Sequence, residues 1–243
     1  MPRLDAVLVA RGFYTTRSRA RDAILRGAVT VEDRIATKPG EAADEDAAIR
    51  IADAASGYVS RAALKLIHAL DHFDISPQAL EALDLGVSTG GFTQVLLERG
   101  ARHVTAIDVG HGQLADTLAQ DPRVTLIEGL NARDLKNAHL KTPPEIIVAD
   151  LSFISLKLAL PPALALAASG ARLVALVKPQ FEAGRAALDG NGVVRDKTVA
   201  KAAAEEIARW LEAEQGWQVA GLTDSPIAGS SGNREFLLLA IKP

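Results

Sequence analysis

Several side chains that could do chemistry stand next to short apolar runs. Asp84 opens Asp84-Leu85-Gly86-Val87-Ser88-Thr89-Gly90-Gly91-Phe92-Thr93, and Asp108 follows His103 to Ile107. Asn131 comes after Val124 to Glu128, Asp150 after Ile146 to Ala149, and Lys178 after Leu173 to Val177. Glu235 precedes the last apolar run, and Lys65 sits in an amphipathic stretch, Ser60 to Leu70. Ligands of open α/β sheets collect at the carboxyl ends of the strands, so the strand-end residues should converge. A lysine closing a buried strand is either snorkelling or working. To work as a base it must have its pKa pushed down, by nearby positive charge or by burial.

The glycine run reads as strand, turn and helix. Glycines let the backbone approach a ligand, and a helix start offers unpaired N–H groups. The spacing is Gly-x-x-x-Gly-Gly, not the Gly-x-Gly-x-x-Gly of dinucleotide enzymes. An acid at the head of the turn would repel a pyrophosphate, so Asp84 favours a ligand with a positive or hydrogen-donating group, such as S-adenosylmethionine. A purely structural turn would use the same glycines. The candidate cofactor set is Asp84, Gly86, Ser88, Thr89, Gly90, Gly91, Phe92, Asp108 and Asn131. Asp108 would bond ribose hydroxyls. Asn131 would face an adenine ring or serve as a plain loop residue.

These positions need a scaffold of alternating elements. Strands are expected at Ala82–Leu85, His103–Ile107, Val124–Glu128, Ile146–Ala149, Arg172–Val177, Gln218–Thr223 and Phe236–Lys242. Helices are expected at Gly91–Arg99, Gly112–Ala119, Leu156–Ala168 and Thr198–Glu214. The alternation predicts an α/β, Rossmann-like, mostly parallel seven-stranded sheet. Its last two strands, joined without a helix, should pair antiparallel.

The 243 residues are 48% hydrophobic, ample for a core. With no cysteine, disulfides, thiolate metal sites and cysteine nucleophiles are excluded. Such a chain fits a reducing compartment, and no metal is expected. The opening residues form no apolar signal segment. Leu158 to Val177 is interrupted by Pro161, Pro162, Gly170 and Arg172, a poor candidate for a span of about 20 apolar residues. The expectation is a cytoplasmic protein without a membrane partner.

The net charge of −3 carries no overall nucleic-acid signal, yet charge is uneven. Residues 1–38 hold eight Arg/Lys against four acids, Asp5, Asp22, Glu32 and Asp33. Helices are expected from Leu4 and from Thr16 to Arg26, then strands Val29–Val31 and Ile49–Ile51, with Ala52 to Gly57 as a linker. The boundaries drawn are 1–57 for a small α+β module and 58–243 for the α/β domain. Arg3, Arg11, Arg17, Arg19, Arg21, Arg26 and, at the joint, Arg61 are the candidate RNA-contacting set. A solvated helix face is the plainer account of these arginines.

Taken in order and location, Lys65, Asp150, Lys178 and Glu235 resemble the Lys-Asp-Lys-Glu tetrad of ribose 2′-O-methyltransferases. Leu8-Val9-Ala10-Arg11-Gly12 with Arg17-Ser18-Arg19-Ala20 resembles an S4-like RNA-binding module. Tyr58-Val59-Ser60-Arg61, the Asp84 to Thr93 run, Asp108-Val109-Gly110, Ala149 to Ser155, Val177 to Gly184 and Gly232-Asn233 resemble segments of the TlyA family, often labelled hemolysins, and more broadly of FtsJ-like methyltransferases. The resemblance implies an S-adenosylmethionine-dependent 2′-O-methyltransferase of ribosomal RNA or ribosomal subunits, usually at cytidine. It implies Lys178 as base, Asp150 as its anchor, and Lys65 and Glu235 as positioners of the hydroxyl. Competing readings are a non-catalytic RNA-binding or ribosome-assembly factor, a membrane-active hemolysin, and a pseudouridine synthase; for the last, residues 60–243 hold no Arg-Leu-Asp motif.

Overall fold

The computed structural model describes residues 1–229 and 231–243. They form two compact units, Met1–Gly57 and Tyr58–Pro243.

In the first unit, α1 (Leu4–Ala10) and α2 (Arg17–Leu25) pack on a small antiparallel sheet of β1 (Val29–Val31), β2 (Arg34–Ile35) and β3 (Ile49–Ile51), in the order β2-β1-β3. Leu4, Leu8, Ile24 and Val29 are fully buried in its core. Thr16 begins α2 by accepting the Arg19 N–H, at 3.3 Å. Strand β2 is absent from the sequence reading. Its hairpin turns on Glu32 and Asp33, both with positive φ (47° and 64°), a conformation usually signalled by Asn-Gly. Here tertiary contacts hold it: Glu32 accepts the Ala48 N–H at 2.7 Å, and Asp33 pairs with Arg50.

The second unit begins with α3 (Ala63–His72), then β4 (Glu81–Leu85), α4 (Gly91–Glu98), β5 (His103–Asp108), α5 (Asp116–Ala119), β6 (Val124–Glu128) and β7 (Ile146–Ala149). There follow α6 (Leu156–Ala159), α7 (Pro161–Leu166), β8 (Arg172–Val177), α8 (Pro179–Glu182), α9 (Lys197–Ala213), β9 (Gln218–Asp224) and β10 (Phe236–Ile241). The expected seven-stranded sheet is present, in the order β6-β5-β4-β7-β8-β10-β9. Strand β10 runs antiparallel to both of its neighbours, and the other pairings are parallel.

Successive strand residues serve opposite faces. Leu83, Leu85, Ile147, Ala149, Leu173 and Ala175 pack with α6, α7 and α9. Ala82, Ile146, Val148, Val174 and Leu176 pack with α3 and α4. Burial on both faces is why these strands read as continuous apolar runs. The helix expected over Leu156–Ala168 is two short ones. Pro161 and Pro162 lack the N–H groups a continuous helix needs, and they start α7 instead. The helix expected from Gly112 starts only at Asp116, because Gly112 is left-handed (φ 64°).

Asp84 belongs to this packing. It is fully buried beneath the glycine turn, accepting from Thr93 Oγ1 of α4 at 2.7 Å, while its Oδ1 has no partner among the described residues. Burial pushes its carboxyl up to about 7; the Thr93 bond opposes the shift, and the charge of Asp150 adds to it. The folded chain therefore holds this proton more tightly than the unfolded chain does. Asp84 favours folding most below the ordinary carboxylate value of 3.8, and that contribution fades as pH rises to about 7. Replacing it, Asp84→Asn, should flatten the fall in stability across this window. Urea midpoints measured at several pH values check this, and parallel curves for the two proteins would refute it.

Candidate active site

The carboxyl ends of β4, β5 and β7 border a cleft of about 930 Å³. Its geometry starts at Gly86. A methyl group there would come within 2.8 Å of the Asp150 carbonyl oxygen and 3.1 Å of the Leu151 side chain, at a φ of +84°. Glycine thus lets the ends of β4 and β7 close together. The N–H groups of Gly86 and Val87 both donate to the Ile107 carbonyl, at 2.9 and 3.1 Å, tying the turn to β5.

Asp108 at the end of β5 is held from two sides. Ser88, itself at a φ of 47°, donates its N–H to Oδ2 at 2.8 Å, and Gly110 donates to Oδ1 at 2.7 Å. The carboxylate keeps further lone pairs and borders the cleft, beside Val109, Leu130 and Leu158. Asn131 also borders it, and its side chain accepts the Arg133 N–H at 3.1 Å. An acid suited to vicinal hydroxyls, a carboxamide and apolar walls match the chemistry of an adenine nucleoside, so these residues fit S-adenosylmethionine.

Of the sequence-derived cofactor set, Gly86, Ser88, Asp108 and Asn131 line the cleft. Others do different work. Asp84 is sealed beneath the turn, and Phe92 is 3% exposed in the core against α3. Neither borders the cleft: Asp84 shares the pleat face of Ala82, and Phe92 falls on the inner face of α4. Gly90 and Gly91 are needed for packing, since a methyl on Gly90 would strike Leu114 and Leu118, and one on Gly91 would strike Ser60. Thr89 is exposed, with its carbonyl accepting the Ala115 N–H at 3.3 Å.

Beside the cleft lie two amine–carboxylate pairs. Lys178 Nζ is 2.6 Å from Asp150 Oδ1 and donates to Ser152 Oγ at 2.8 Å. Lys65 of α3 donates to Glu235 Oε2 at 2.6 Å. Register brings the pairs close: Phe236 pairs with Val177, so Glu235 and Lys178 flank the same ladder end. Lys65, Lys178 and Glu235 are each under a tenth exposed. Asp150 is part of the cleft wall.

Sequence reasoning passed over three neighbours. Ser152 is the second acceptor for Lys178. Phe153 is 92% exposed at a φ of 65°, with its ring 5.3 Å from that of Phe181. Glu182 accepts from Ser155 Oγ at 2.6 Å and from the Leu156 N–H at 2.9 Å. Burial raises its carboxyl despite these bonds. The only available signal was that they follow Asp150 and Lys178.

The arginines of the first unit are not equivalent. Arg3 and Arg17 both bond Asp5, which is fully buried. Arg11 donates to the Ala47 carbonyl at 2.6 Å and lies over the Phe13 ring. Arg26 is enclosed: its side chain, 15% exposed, pairs with Asp22 and with Asp53, and Asp53 also accepts from Tyr14. A guanidinium so engaged has little surface left for an outside ligand. Arg21 is exposed, and together with Arg17 and Ser18 it borders a shallow groove. Arg19 and Arg61 are half-buried.

Comparison with known proteins fits this geometry. Residues 58–242 match the FtsJ-like methyltransferase family, and residues 2–49 match the S4 domain. The 16S/23S rRNA (cytidine-2′-O)-methyltransferase TlyA of Mycobacterium tuberculosis is 44% identical, over 97% of this chain and 88% of that protein. Hemolysin A of Brachyspira hyodysenteriae is 38% identical, over 97% and 98%. Among the described residues, no helix is long and apolar enough to cross a membrane. A solved hemolysin-named structure from Streptococcus thermophilus superposes with a TM-score of 0.78 at 39% identity, covering 100% of this chain and 89% of that one. With an S4 domain ahead of an FtsJ-like methyltransferase domain, the chain belongs to the TlyA family of FtsJ-like methyltransferases.

Proposed function

We propose that this protein methylates the ribose 2′-hydroxyl of a cytidine in ribosomal RNA, in the cytoplasm, with S-adenosylmethionine as donor. The observation that carries the reading is that Lys178 is held by Asp150 and Ser152, two residues in the wall of a cleft suited to a nucleoside. The activity carried in the name of the Mycobacterium tuberculosis relative supports it.

When bound, S-adenosylmethionine supplies an electrophilic methyl group on a sulfonium. Asp108 would hold its ribose hydroxyls, and Asn131, Val109 and Leu130 would receive its base. Lys178 receives the proton of the attacking hydroxyl, and Asp150 keeps that amine beside the cleft. Lys65, fixed by Glu235, donates to the hydroxyl oxygen and orients it. Much of the acceleration comes from holding oxygen and methyl in line. Phe153, exposed and in a strained conformation, offers a ring face on which the target base can stack once it leaves its helix. Residues 1–57 form the RNA-holding domain and residues 58–243 the catalytic one. Arg21, Arg17, Arg3, Arg11, Arg19 and, at the joint, Arg61 face phosphate.

Three outcomes test this reading. Substituting the base, Lys178→Ala, should cut methyl transfer to ribosomal RNA by roughly 10²- to 10⁴-fold. Calorimetric affinity for S-adenosylmethionine should survive. Equal label incorporation by variant and wild type would leave only an RNA-binding role. Asp108→Ala should weaken S-adenosylmethionine about tenfold or more, the size of a lost charged hydrogen bond; an unchanged dissociation constant would remove Asp108 from the site. Arg21→Ala should lower the slope of log affinity for RNA against log salt by about one, as expected for a single phosphate contact. An unaltered slope would exclude that contact.

A further inference from the structure

Lys178 and Lys65 are held differently. Lys65 has a carboxylate partner, Glu235, whereas Lys178 has both a carboxylate and a hydroxyl. A lysine ammonium has three N–H donors and no acceptor. On Lys178 one donor is directed at Asp150 and a second at Ser152, which leaves a single direction. Ser152 is exposed on the cleft wall, so that direction is set from the side on which substrate arrives. The Ser152 loop is also fixed without help from Lys178. Glu182, from the helix that follows Lys178, grips Ser155 and the Leu156 N–H.

Resting on the methyl-transfer reading above, we propose that Ser152 is a positioning residue that aims the base. Once Lys178 is neutral, its two remaining N–H bonds stay with Asp150 and Ser152, and the lone pair takes the third position. Without Ser152 only one direction is claimed, and the lone pair has two places to go. In the step that Ser152 serves, the ribose O–H bond breaks and its proton moves onto that lone pair. The oxygen's electron pair forms the new O–CH₃ bond as the C–S pair returns to sulfur.

The test is single-turnover methylation of unmethylated ribosomal subunits by the full-length protein, with both ligands saturating. Because Ser152 is exposed, Ser152→Ala should fold normally. Its rate should fall about tenfold or more, the scale of a misplaced reacting group. Affinities for S-adenosylmethionine and for the subunit should hold, and Ser152→Thr, which keeps the hydroxyl, should recover most of the rate. A merely structural role would lower ligand affinity along with the rate and would not be rescued by the conservative variant. An undiminished Ser152→Ala rate, a loss confined to ligand affinity, or no recovery by Ser152→Thr would each overturn the inference while leaving 2′-O-methylation intact. If the wild type places no label on a ribose 2′-oxygen, the underlying reading falls, and this inference falls with it.

Discussion

Two ammonium groups lie almost out of water at the end of a sheet made of valine, leucine and alanine. Removing an ion from water costs several kcal/mol even after relaxation, and only a close counter-charge with satisfied hydrogen bonds offsets it. That constraint organises the neighbourhood. Lys178 requires Asp150 from the adjacent strand β7. Lys65, arriving on α3, requires Glu235, 170 positions away in sequence. Buried pairs of this kind are poor sources of stability. Keeping two of them at one sheet end makes sense where the charges have a task.

The closure of β4 on β7 follows from the same need. Asp150 can serve Lys178 and wall the cleft only if its backbone runs against the glycine turn. The absence of a side chain at Gly86 lets it do so. The turn then spends its amides on Ile107 and Asp108, which fixes the acid of the cleft relative to the acid of the lysine pair. The loops after β7 and β8 are stitched by Lys178–Ser152, Glu182–Ser155 and the Phe153–Phe181 rings. Cleft and amine pairs are thus parts of one braced edge.

How far this was legible in the sequence depends on the range of the interactions concerned. Strands such as Ile146–Ala149 and Arg172–Val177 announced themselves, because burial on both faces leaves Ile146–Ala149 and Leu173–Val177 wholly apolar. Strand β2 was hidden because its two residues, Arg34–Ile35, are too few to show a pattern, and its Glu32-Asp33 turn relies on Ala48 and Arg50. Each member of the amine–carboxylate set is ordinary alone. Strand-end position marked them as candidates, resemblance grouped them as a set, and no spacing could say which amine meets which acid. Asp84 and Phe92 lie on the core side of the glycine turn rather than on its cleft side, and the string of letters does not mark the sides.

The arginines of the first unit give the complementary lesson. Charge counting treated Arg3, Arg17, Arg21 and Arg26 as one basic face. The fold divides them by whether a buried acid lies within reach. Asp5 is fully buried, so its charge must be met locally, and two guanidiniums meet it while remaining half-exposed themselves. They can still present N–H groups outward, because five donors exceed what one carboxylate accepts. Arg26 is shut in by Asp22, Asp53 and the Tyr14 hydroxyl, a network that secures the end of the module just before Gly57. The excess positive charge of the segment is thus partly scaffold. The charge that remains open to solvent lies on arginines such as Arg3, Arg17 and Arg21.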